Sequence, residues 1–429
     1  MIKVCNVVLI SVDELRADQL SYSGYHRETS PVLDTLAAES VVFSYALSVS
    51  SHTREAVSSL LTGRYSDEAA DSSYHLSAPT LPSYCDASTA SAAFHSNPYV
   101  SRAYGYGTDF DLYSDDMRIG SNKLVVLLQR AIDKLRNSHY ARAPAINERS
   151  LDWVADTDKP RFVWNHYMDT HGPYEAPKRY QLRFRDEFVS PRRAQKLYKR
   201  AIRNPESITE EERQVLLDLY DAEITYFDEA LGDFLNRLHE MGHHHDTLLI
   251  ITADHGEAFG EHGYYEHPRR LPYELLHVPL LVVHPALDPV SIQSPVSTLD
   301  IVPTILDTFD ICYSGLDGTS LWKIVSDPDE YADRTVYAQA RGENEEANLI
   351  RFAAYNRVDR CEQLRDIESG EPAGLDVGDA DRALIEDLER HSSVRMSHLD
   401  STGSSSTENE EDVDDAVESR LEALGYKER

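Results

Sequence analysis

The stretch from Thr247 to Glu257 most constrains how this chain can fold. Residues 247–251 read Thr-Leu-Leu-Ile-Ile, a short apolar run typical of a buried strand. The chain then presents Asp254 and His255 just beyond the end of that strand. A carboxylate beside an imidazole at a strand end is a natural half of a metal site. We therefore expect the other half at the end of another strand.

A second buried strand supplies that half. Residues 7–12 read Val-Val-Leu-Ile-Ser-Val and are followed at once by Asp13 and Glu14. In an open sheet of parallel strands, the carboxyl ends of neighbouring strands meet at one edge. The sequence therefore predicts that these acidic residues lie together with Asp254, although they are far apart along the chain.

Strands and helices alternate along most of the chain. This alternation predicts an α/β fold with a mainly parallel sheet and helices on both faces. Hydrophobic periodicity predicts strands at 7–12, 41–49, 91–94, 162–167, 247–251 and 278–283, and helices at 31–39, 56–62, 124–135, 209–239 and 300–309.

Length and composition indicate the domain organisation. The chain has 429 residues, enough for one large α/β domain and an extension. We expect the catalytic domain at 1–360 and an acidic C-terminal extension at 361–429. Residues 401–415 are mostly Ser, Glu and Asp, so the extension should be largely disordered, with a short terminal helix at 417–424.

The charge of the chain excludes some partners. Its formal net charge is −32, from 74 acidic and 42 basic residues. This charge argues against a nucleic-acid partner and favours a salt-adapted, halophilic protein. No apolar run is long enough to span a bilayer, and the N-terminus lacks the features of a secretory signal, so we expect a cytoplasmic location. The four cysteines are scattered and form no CxxC motif.

Two further residues complete a candidate site. Thr53 follows a polar turn and precedes a predicted helix, where backbone N–H groups favour an anion. Its hydroxyl could be a nucleophile, or an ordinary helix N-cap. His171 follows the predicted strand at 162–167 and could donate a hydrogen bond or a proton to substrate, or simply stabilise a turn.

The acidic residues and the imidazole suit a divalent cation. Asp13, Glu14, Asp254 and His255 are the expected ligands, and each could alternatively be a turn or helix-cap residue. Oxygen-rich ligation favours one Ca²⁺ or Mg²⁺, and the imidazole is also compatible with Mn²⁺ or Zn²⁺. Such a cation would bind an anionic ester oxygen and activate Thr53.

Taken in order, these motifs resemble the sulfatase family of the alkaline-phosphatase superfamily. The resemblance covers about residues 4–325. It is carried by the segments Asn6–Asp18, Thr29–Asp34, Leu60–Arg64, Asp169–Tyr174, Asp254–Glu257, Gly260–Gly263, His277–Leu280, Leu299–Leu306 and Leu316–Leu321.

The resemblance implies roles for individual residues. Asp13, Glu14, Asp254 and His255 match the family's metal ligands, and His171 matches its substrate-contacting histidine. Thr53 occupies the position of the residue that the family converts to formylglycine; oxidation of a threonine would give a ketone instead. Phosphate-transferring and phosphate-cleaving relatives in the superfamily use an unmodified threonine there.

The resemblance also shows two substitutions in the family's active-site residues. Val57 replaces a family arginine, and His267, a candidate substrate-binding residue, replaces the family lysine that contacts sulfate.

The expected function is metal-dependent hydrolysis of sulfate esters through Thr53, with a small anionic ester as substrate, sulfated or phosphorylated and possibly a carbohydrate. One alternative is a phosphodiesterase, phosphatase or phospho-group transferase with the same nucleophile. A second alternative, from another class, is a catalytically silent binding protein with this fold.

Overall fold

The computed structural model describes residues 4–116 and 140–402. The helix predicted at 124–135 therefore lies outside the described residues. The same holds for residues 403–429, which include nearly all of the segment expected to be disordered and the short helix expected at 417–424.

Sixteen strands occur in the described ranges. They are β1 Asn6–Val12, β2 Val41–Phe43, β3 Ala46–Leu47, β4 Ala90–Phe94, β5 Leu112–Ser114, β6 Arg161–Tyr167, β7 Thr247–Ala253, β8 Ala258–Phe259, β9 Tyr265–Glu266, β10 Leu280–Val283, β11 Val290–Ile292, β12 Val296–Ser297, β13 Val336–Arg341, β14 Leu349–Tyr355, β15 Arg360–Asp366 and β16 Pro372–Asp376.

Eight of these strands form the central sheet, in the order β11-β2-β10-β7-β1-β6-β4-β5. Only β10 runs antiparallel to its neighbours β2 and β7. Every residue of β1, β6 and β7 is buried, as expected for parallel strands covered on both faces. The predicted α/β fold with a mainly parallel sheet is confirmed.

The register of the three central strands positions the site. Val12, the last residue of β1, lies opposite Tyr167 of β6 and Ala253 of β7. All three strands are parallel, so the residues that follow them emerge at the same sheet edge. Asp13 and Asp254 are therefore neighbours in space, as the sequence predicts.

Helices flank this sheet. Their bounds are α1 Pro31–Ala38, α2 Thr53–Thr62, α3 Ser66–Ala69, α4 Ala143–Ala155, α5 Lys178–Phe184, α6 Pro191–Arg203, α7 Glu210–Glu240, α8 Tyr273–Leu276, α9 Ile301–Thr308, α10 Leu321–Ser326 and α11 Arg382–Thr402. A capping box of Thr209 and Glu212 starts the long helix α7. Among the helices in the described ranges, none has a stretch long and apolar enough to cross a bilayer.

The region after residue 360 differs from the expectation. Strands β13–β16 form a four-stranded antiparallel sheet, and the expected domain boundary falls at the start of β15. Helix α11 buries Leu384, Leu388, Met396 and Leu399 in the cluster formed with this sheet. Residues 361–402 are thus folded rather than disordered, because a few apolar side chains at helical spacing suffice to anchor an otherwise acidic segment.

Candidate active site

The sheet edge brings together residues from distant parts of the chain. Nε2 of His255 lies 3.7 Å from Oδ1 of Asp13 and 3.6 Å from Oδ2 of Asp254. The hydroxyl of Thr53 lies 3.2 Å from the same nitrogen. All four side chains are buried. The structure thus assembles the predicted nucleophile and three of the four predicted metal ligands around one point.

Thr53 is the first residue of α2, and it does not cap this helix. His52 is the N-cap, and its Nδ1 accepts a hydrogen bond of 3.3 Å from the backbone N–H of Arg54. The hydroxyl of Thr53 is therefore left to face His255. This geometry argues against the interpretation of Thr53 as an ordinary capping threonine.

The tautomer of His255 follows from its second ring nitrogen. Nδ1 lies 2.9 Å from the carbonyl oxygen of Gly256. A carbonyl only accepts, which places the ring proton on Nδ1. Nε2 then presents a lone pair toward Thr53, Asp13 and Asp254, the arrangement in which an imidazole accepts a hydroxyl proton or binds a metal.

The structure adds two residues to this group that sequence reasoning missed. Nδ2 of Asn97 donates a 2.8 Å hydrogen bond to Oδ2 of Asp13, and Nε2 of His166 lies 3.7 Å from the same oxygen. Asp13, His166 and Asp254 each offer one side-chain ligand atom, and these three atoms lie within 4.8 Å of one another.

The donor set fits a divalent cation. Oδ1 of Asp13 and Oδ2 of Asp254 are buried and accept no hydrogen bond from any described residue. Buried carboxylate oxygens of this kind are the ligands that a hard cation takes. The Asp13, His166 and Asp254 atoms, with His255 beside them, will be called the first cluster.

The acidic groups of the first cluster influence each other. Burial raises the pKa of Asp13, but the surrounding imidazoles of His166, His171 and His255 outweigh burial and hold the pKa well below its usual value. Burial and the charge of Asp13 raise the pKa of Asp254. A carboxylate pair of this kind favours bound positive charge.

Glu14 is placed differently from the other three predicted ligands. Its backbone N–H contacts Oδ1 of Asp254 at 3.3 Å, but its carboxylate lies with two histidines instead. Oε1 of Glu14 is 3.3 Å from Nε2 of His171 and 3.0 Å from Nδ1 of His267. Glu14 has φ of 61°, a left-handed conformation that the sequence did not indicate.

His171 is held in the loop after β6. Asp169 accepts hydrogen bonds from the guanidinium of Arg142 at 2.8 Å and from the backbone N–H of Ala143. Asp169 therefore stabilises this loop and takes no part in the reaction centre. Thr170 donates to the backbone carbonyl of Asp13, and Gly172 N–H donates to Oε2 of Glu14 at 3.2 Å. The loop is therefore tied to the end of β1.

His267 lies between two glutamates. Its Nδ1 is 3.3 Å from Oε2 of Glu257, whose Oε1 accepts a hydrogen bond from the hydroxyl of Tyr174. The imidazole rings of His255 and His267 are 4.6 Å apart, so His267 adjoins the first cluster. The structure places both His171 and His267 in the site, where the sequence predicts substrate contact.

Comparison with known proteins identifies relatives. The family model described as sulfatase matches residues 5–311. The chain is 27% identical to an ulvan-active sulfatase of Formosa agariphila over 77% of this chain, and it spans 66% of that protein's length. It is 23% identical to an arylsulfatase of Clostridium perfringens over 75% of this chain and 78% of that one.

A solved structure shows the same fold. The phosphonate monoester hydrolase of Agrobacterium radiobacter superimposes with a TM-score of 0.71, covering 92% of this chain and 96% of the other at 18% sequence identity. At this identity the likeness concerns the fold.

Proposed function

The chain belongs to the sulfatase family, and we propose that it is a metal-dependent hydrolase of sulfate esters with Thr53 as its nucleophile. The observation that carries the proposal is the 3.2 Å contact between the Thr53 hydroxyl and Nε2 of His255 beside two buried carboxylates. A hydroxyl that caps no helix and faces the proposed metal ligands is suited to attack an ester once it is ionised. The sulfatase relatives support sulfate as the transferred group.

The first cluster would hold a divalent cation, with Asp13, Asp254 and His255 as ligands. Bound there, the cation would neutralise charge on the ester oxygens and favour the ionised form of the Thr53 hydroxyl. Its identity is proposed as Ca²⁺ or Mg²⁺, with Mn²⁺ and Zn²⁺ also compatible with an imidazole ligand.

Thr53 would act in the first step, the attack on the ester, and His171 in the second step, the release of the bound group by water. Oγ1 of Thr53 attacks the sulfur, the bond from sulfur to the alcohol oxygen breaks, and the proton lost by the Thr53 hydroxyl goes to that alcohol oxygen. Nδ1 of His171 lies 2.6 Å from the carbonyl of Gly172, so Nε2 carries a lone pair. Burial lowers the pKa of His171, which keeps this nitrogen unprotonated. His171 would therefore accept a proton from the water that releases the group from Thr53.

A phosphoric ester is the second candidate substrate. Thr53 cannot supply the formylglycine through which a sulfate group is released in the family that the sequence resembles. His267 and Val57 stand where that family has a lysine and an arginine. A sulfate ester on a plain threonine lacks the hydrate hydroxyl that expels it, whereas a phosphoryl group can be transferred to water by in-line attack.

A substrate panel distinguishes these candidates. The metal-loaded full-length protein is assayed on aryl sulfates, aryl phosphates, aryl phosphodiesters and sulfated oligosaccharides. Turnover of sulfates that is lost in Thr53→Ala supports the first candidate. Thr62→Ala is the matched control, because it removes a buried hydroxyl from the same helix that bonds to backbone groups, the carbonyl of Ser58 and the N–H of Arg64.

Two results would overturn the first candidate. Turnover of phosphoric esters alone would replace it with the second. Failure to turn over any ester, by protein that has bound its metal, would indicate a binding protein with this fold.

A further inference from the structure

We infer that Glu14, His171 and His267 form a binding site for a second divalent cation, next to the first cluster. One ligand atom from each of these residues lies within 4.8 Å of the other two, and all three side chains are buried. They share no member with the group Asp13, His166 and Asp254. The active site therefore contains two separate sets of metal-ligand atoms rather than one.

The charge balance of the site supports two cations. Four carboxylates are buried side by side, those of Asp13, Glu14, Asp254 and Glu257. Across residues 4–116 and 140–402, no lysine or arginine forms an ion pair with any of the four. Burying unpaired carboxylates is costly. One divalent cation offsets two of these charges, and a second offsets the remaining two.

The directions of the donor atoms also support a cation. Oε1 of Glu14 accepts no well-aligned hydrogen bond from the described part of the chain, although two imidazole nitrogens lie within 3.3 Å of it. His171 donates its Nδ1 proton to a backbone carbonyl, which directs the lone pair of Nε2 toward Glu14. A carbonyl on the far nitrogen is the usual partner of a metal-binding histidine.

Glu257 could contribute a further ligand. Its Oε2 is 3.3 Å from Nδ1 of His267, and the hydroxyl of Tyr174 fixes its other oxygen. Two imidazole nitrogens with one or two carboxylate oxygens favour Zn²⁺ or Mn²⁺ over Ca²⁺. We will call Glu14, His171, His267 and Glu257 the second cluster.

A third acidic group provides a contrast. Asp67, Glu68 and His398 are also close enough to hold a metal. There, however, the guanidinium of Arg395 pairs with both carboxylates. That group already has its counter-charge, so it carries no site. In the second cluster, the alternative counter-charge is a protonated His267 shared by Glu14 and Glu257, and the experiment below separates it from a cation.

A second cation deepens the proposed function, although its binding does not depend on that function. Two neighbouring cations can stabilise both the attacking and the leaving oxygen of an in-line displacement. The cation would occupy the lone pair of His171 Nε2, and the role of activating water would pass from this imidazole to the cation. This arrangement favours the phosphoric ester among the two candidate substrates.

The test is metal stoichiometry. Chelated full-length protein is reloaded with Mn²⁺ or Zn²⁺, freed of excess metal, and analysed by elemental mass spectrometry. We expect two equivalents per chain in the wild type and one in Glu14→Gln and in His267→Ala. His262→Ala is the matched control and should keep both, because His262 is exposed and pairs with Glu274 outside the second cluster.

Further variants keep the result interpretable. His267→Lys supplies a fixed positive charge between Glu14 and Glu257, so it should fold and bind one equivalent even if His267→Ala does not fold. Asp254→Asn should lose the ion of the first cluster and keep the other. Electron paramagnetic resonance of the Mn²⁺ form gives a second readout, since two adjacent ions couple magnetically and a single ion does not.

The outcomes separate this inference from the proposed function. One equivalent in the wild type that is unchanged in His267→Ala and His267→Lys would overturn the second site and identify His267 as a charged partner of the glutamates. Two equivalents, one lost on changing His267, would establish the site even if every ester in the substrate panel were left intact.

Discussion

Oγ1 of Thr53 lies 3.2 Å from Nε2 of His255, although the two residues are 202 positions apart in the sequence. Thr53 begins helix α2, and His255 follows the central strand β7. His52 caps the helix, so the Thr53 hydroxyl has no structural task there. The contact is therefore a property of the site rather than of the helix.

Substitutions at Thr53 should separate its chemistry from its packing. Thr53→Val keeps the volume but removes the hydroxyl, and it should lower kcat/KM by about 10³-fold or more. Thr53→Ser keeps the hydroxyl and should lose no more than about 100-fold. Steady-state kinetics on the best substrate of the panel measures both.

The stability of these variants provides the control. Because His52 supplies the cap, Thr53→Val should change the free energy of unfolding by less than about 1 kcal/mol. Activity in Thr53→Val comparable with that of the wild type would exclude Thr53 as the nucleophile.

The sheet edge could be predicted because of its strong local pattern. The runs at 7–12 and 247–251 are almost wholly apolar, and parallel strands bring their carboxyl ends together. The approach of Asp13, Asp254 and His255 follows from that topology alone. Thr53 was also placed correctly, at the start of a helix that points toward this edge.

The direction of individual side chains could not be predicted. The carboxylate of Glu14 joins His171 and His267 through a left-handed backbone conformation that a glutamate rarely adopts. His166 was missed because it lies within β6, where every residue is buried and alternation reveals nothing. Asn97 follows β4 and caps a short 3-10 helix through the backbone N–H of Tyr99, so its sequence context gave no sign of its hydrogen bond to Asp13.

Removal of divalent cations should destabilise the protein. Without a bound cation, burial and the repulsion between Asp13 and Asp254 disfavour the ionised carboxylates of the first cluster and raise the pKa of Asp254. A ligand that binds only the folded state stabilises it by about 3–4 kcal/mol at 100 to 1,000 times its Kd. We therefore expect chelation to lower Tm by several degrees and added Mg²⁺, Ca²⁺ or Mn²⁺ to restore it, as measured by calorimetry.

The Asp254→Ala variant is the control for that experiment. It lacks a proposed ligand, so its Tm should respond much less to chelation and to added metal. An equal response in the variant and the wild type would place the stabilising cation elsewhere.

Substitution of Gly172 by alanine should lower both stability and activity, because the added methyl group clashes with a neighbouring helix. A Cβ on Gly172 would lie 2.2 Å from the ring of Tyr198 in helix α6. Gly172 follows His171 directly, so Gly172→Ala must displace the buried ring of Tyr198, the helix that carries it or the His171 loop. We expect a loss of about 1–3 kcal/mol in stability and of at least about 10-fold in kcat/KM.

Gly374→Ala is a suitable comparison for this variant. A Cβ on Gly374 would meet Leu364 at 3.6 Å, which is an ordinary van der Waals contact. Gly374 lies in β16, which contributes no residue to the active site. It should retain wild-type kinetics. A fully active and stable Gly172→Ala would show that α6 yields without moving His171.

The last prediction concerns acid stability and His391 of helix α11. The imidazole of His391 stacks on the ring of Tyr337 at 4.0 Å, and no described residue bonds to its Nε2. Burial, and then the charge of Arg395, lowers the pKa of His391 to about 3. A histidine in an unfolded chain has a pKa near 6.5. Between these two values the unfolded chain binds the extra proton, so the free energy of unfolding falls as the pH is lowered.

The His391→Phe variant keeps the stacked ring and removes the titration. Relative to pH 8, the wild type should lose about 2 kcal/mol more than this variant at pH 5, as measured by urea unfolding. His75→Phe, at a histidine whose side chain is 40% exposed, is the control and should follow the wild type. Equal losses in His391→Phe and the wild type would mean that His391 accepts its proton in the folded protein, and that helix α11 does not exclude water from this ring.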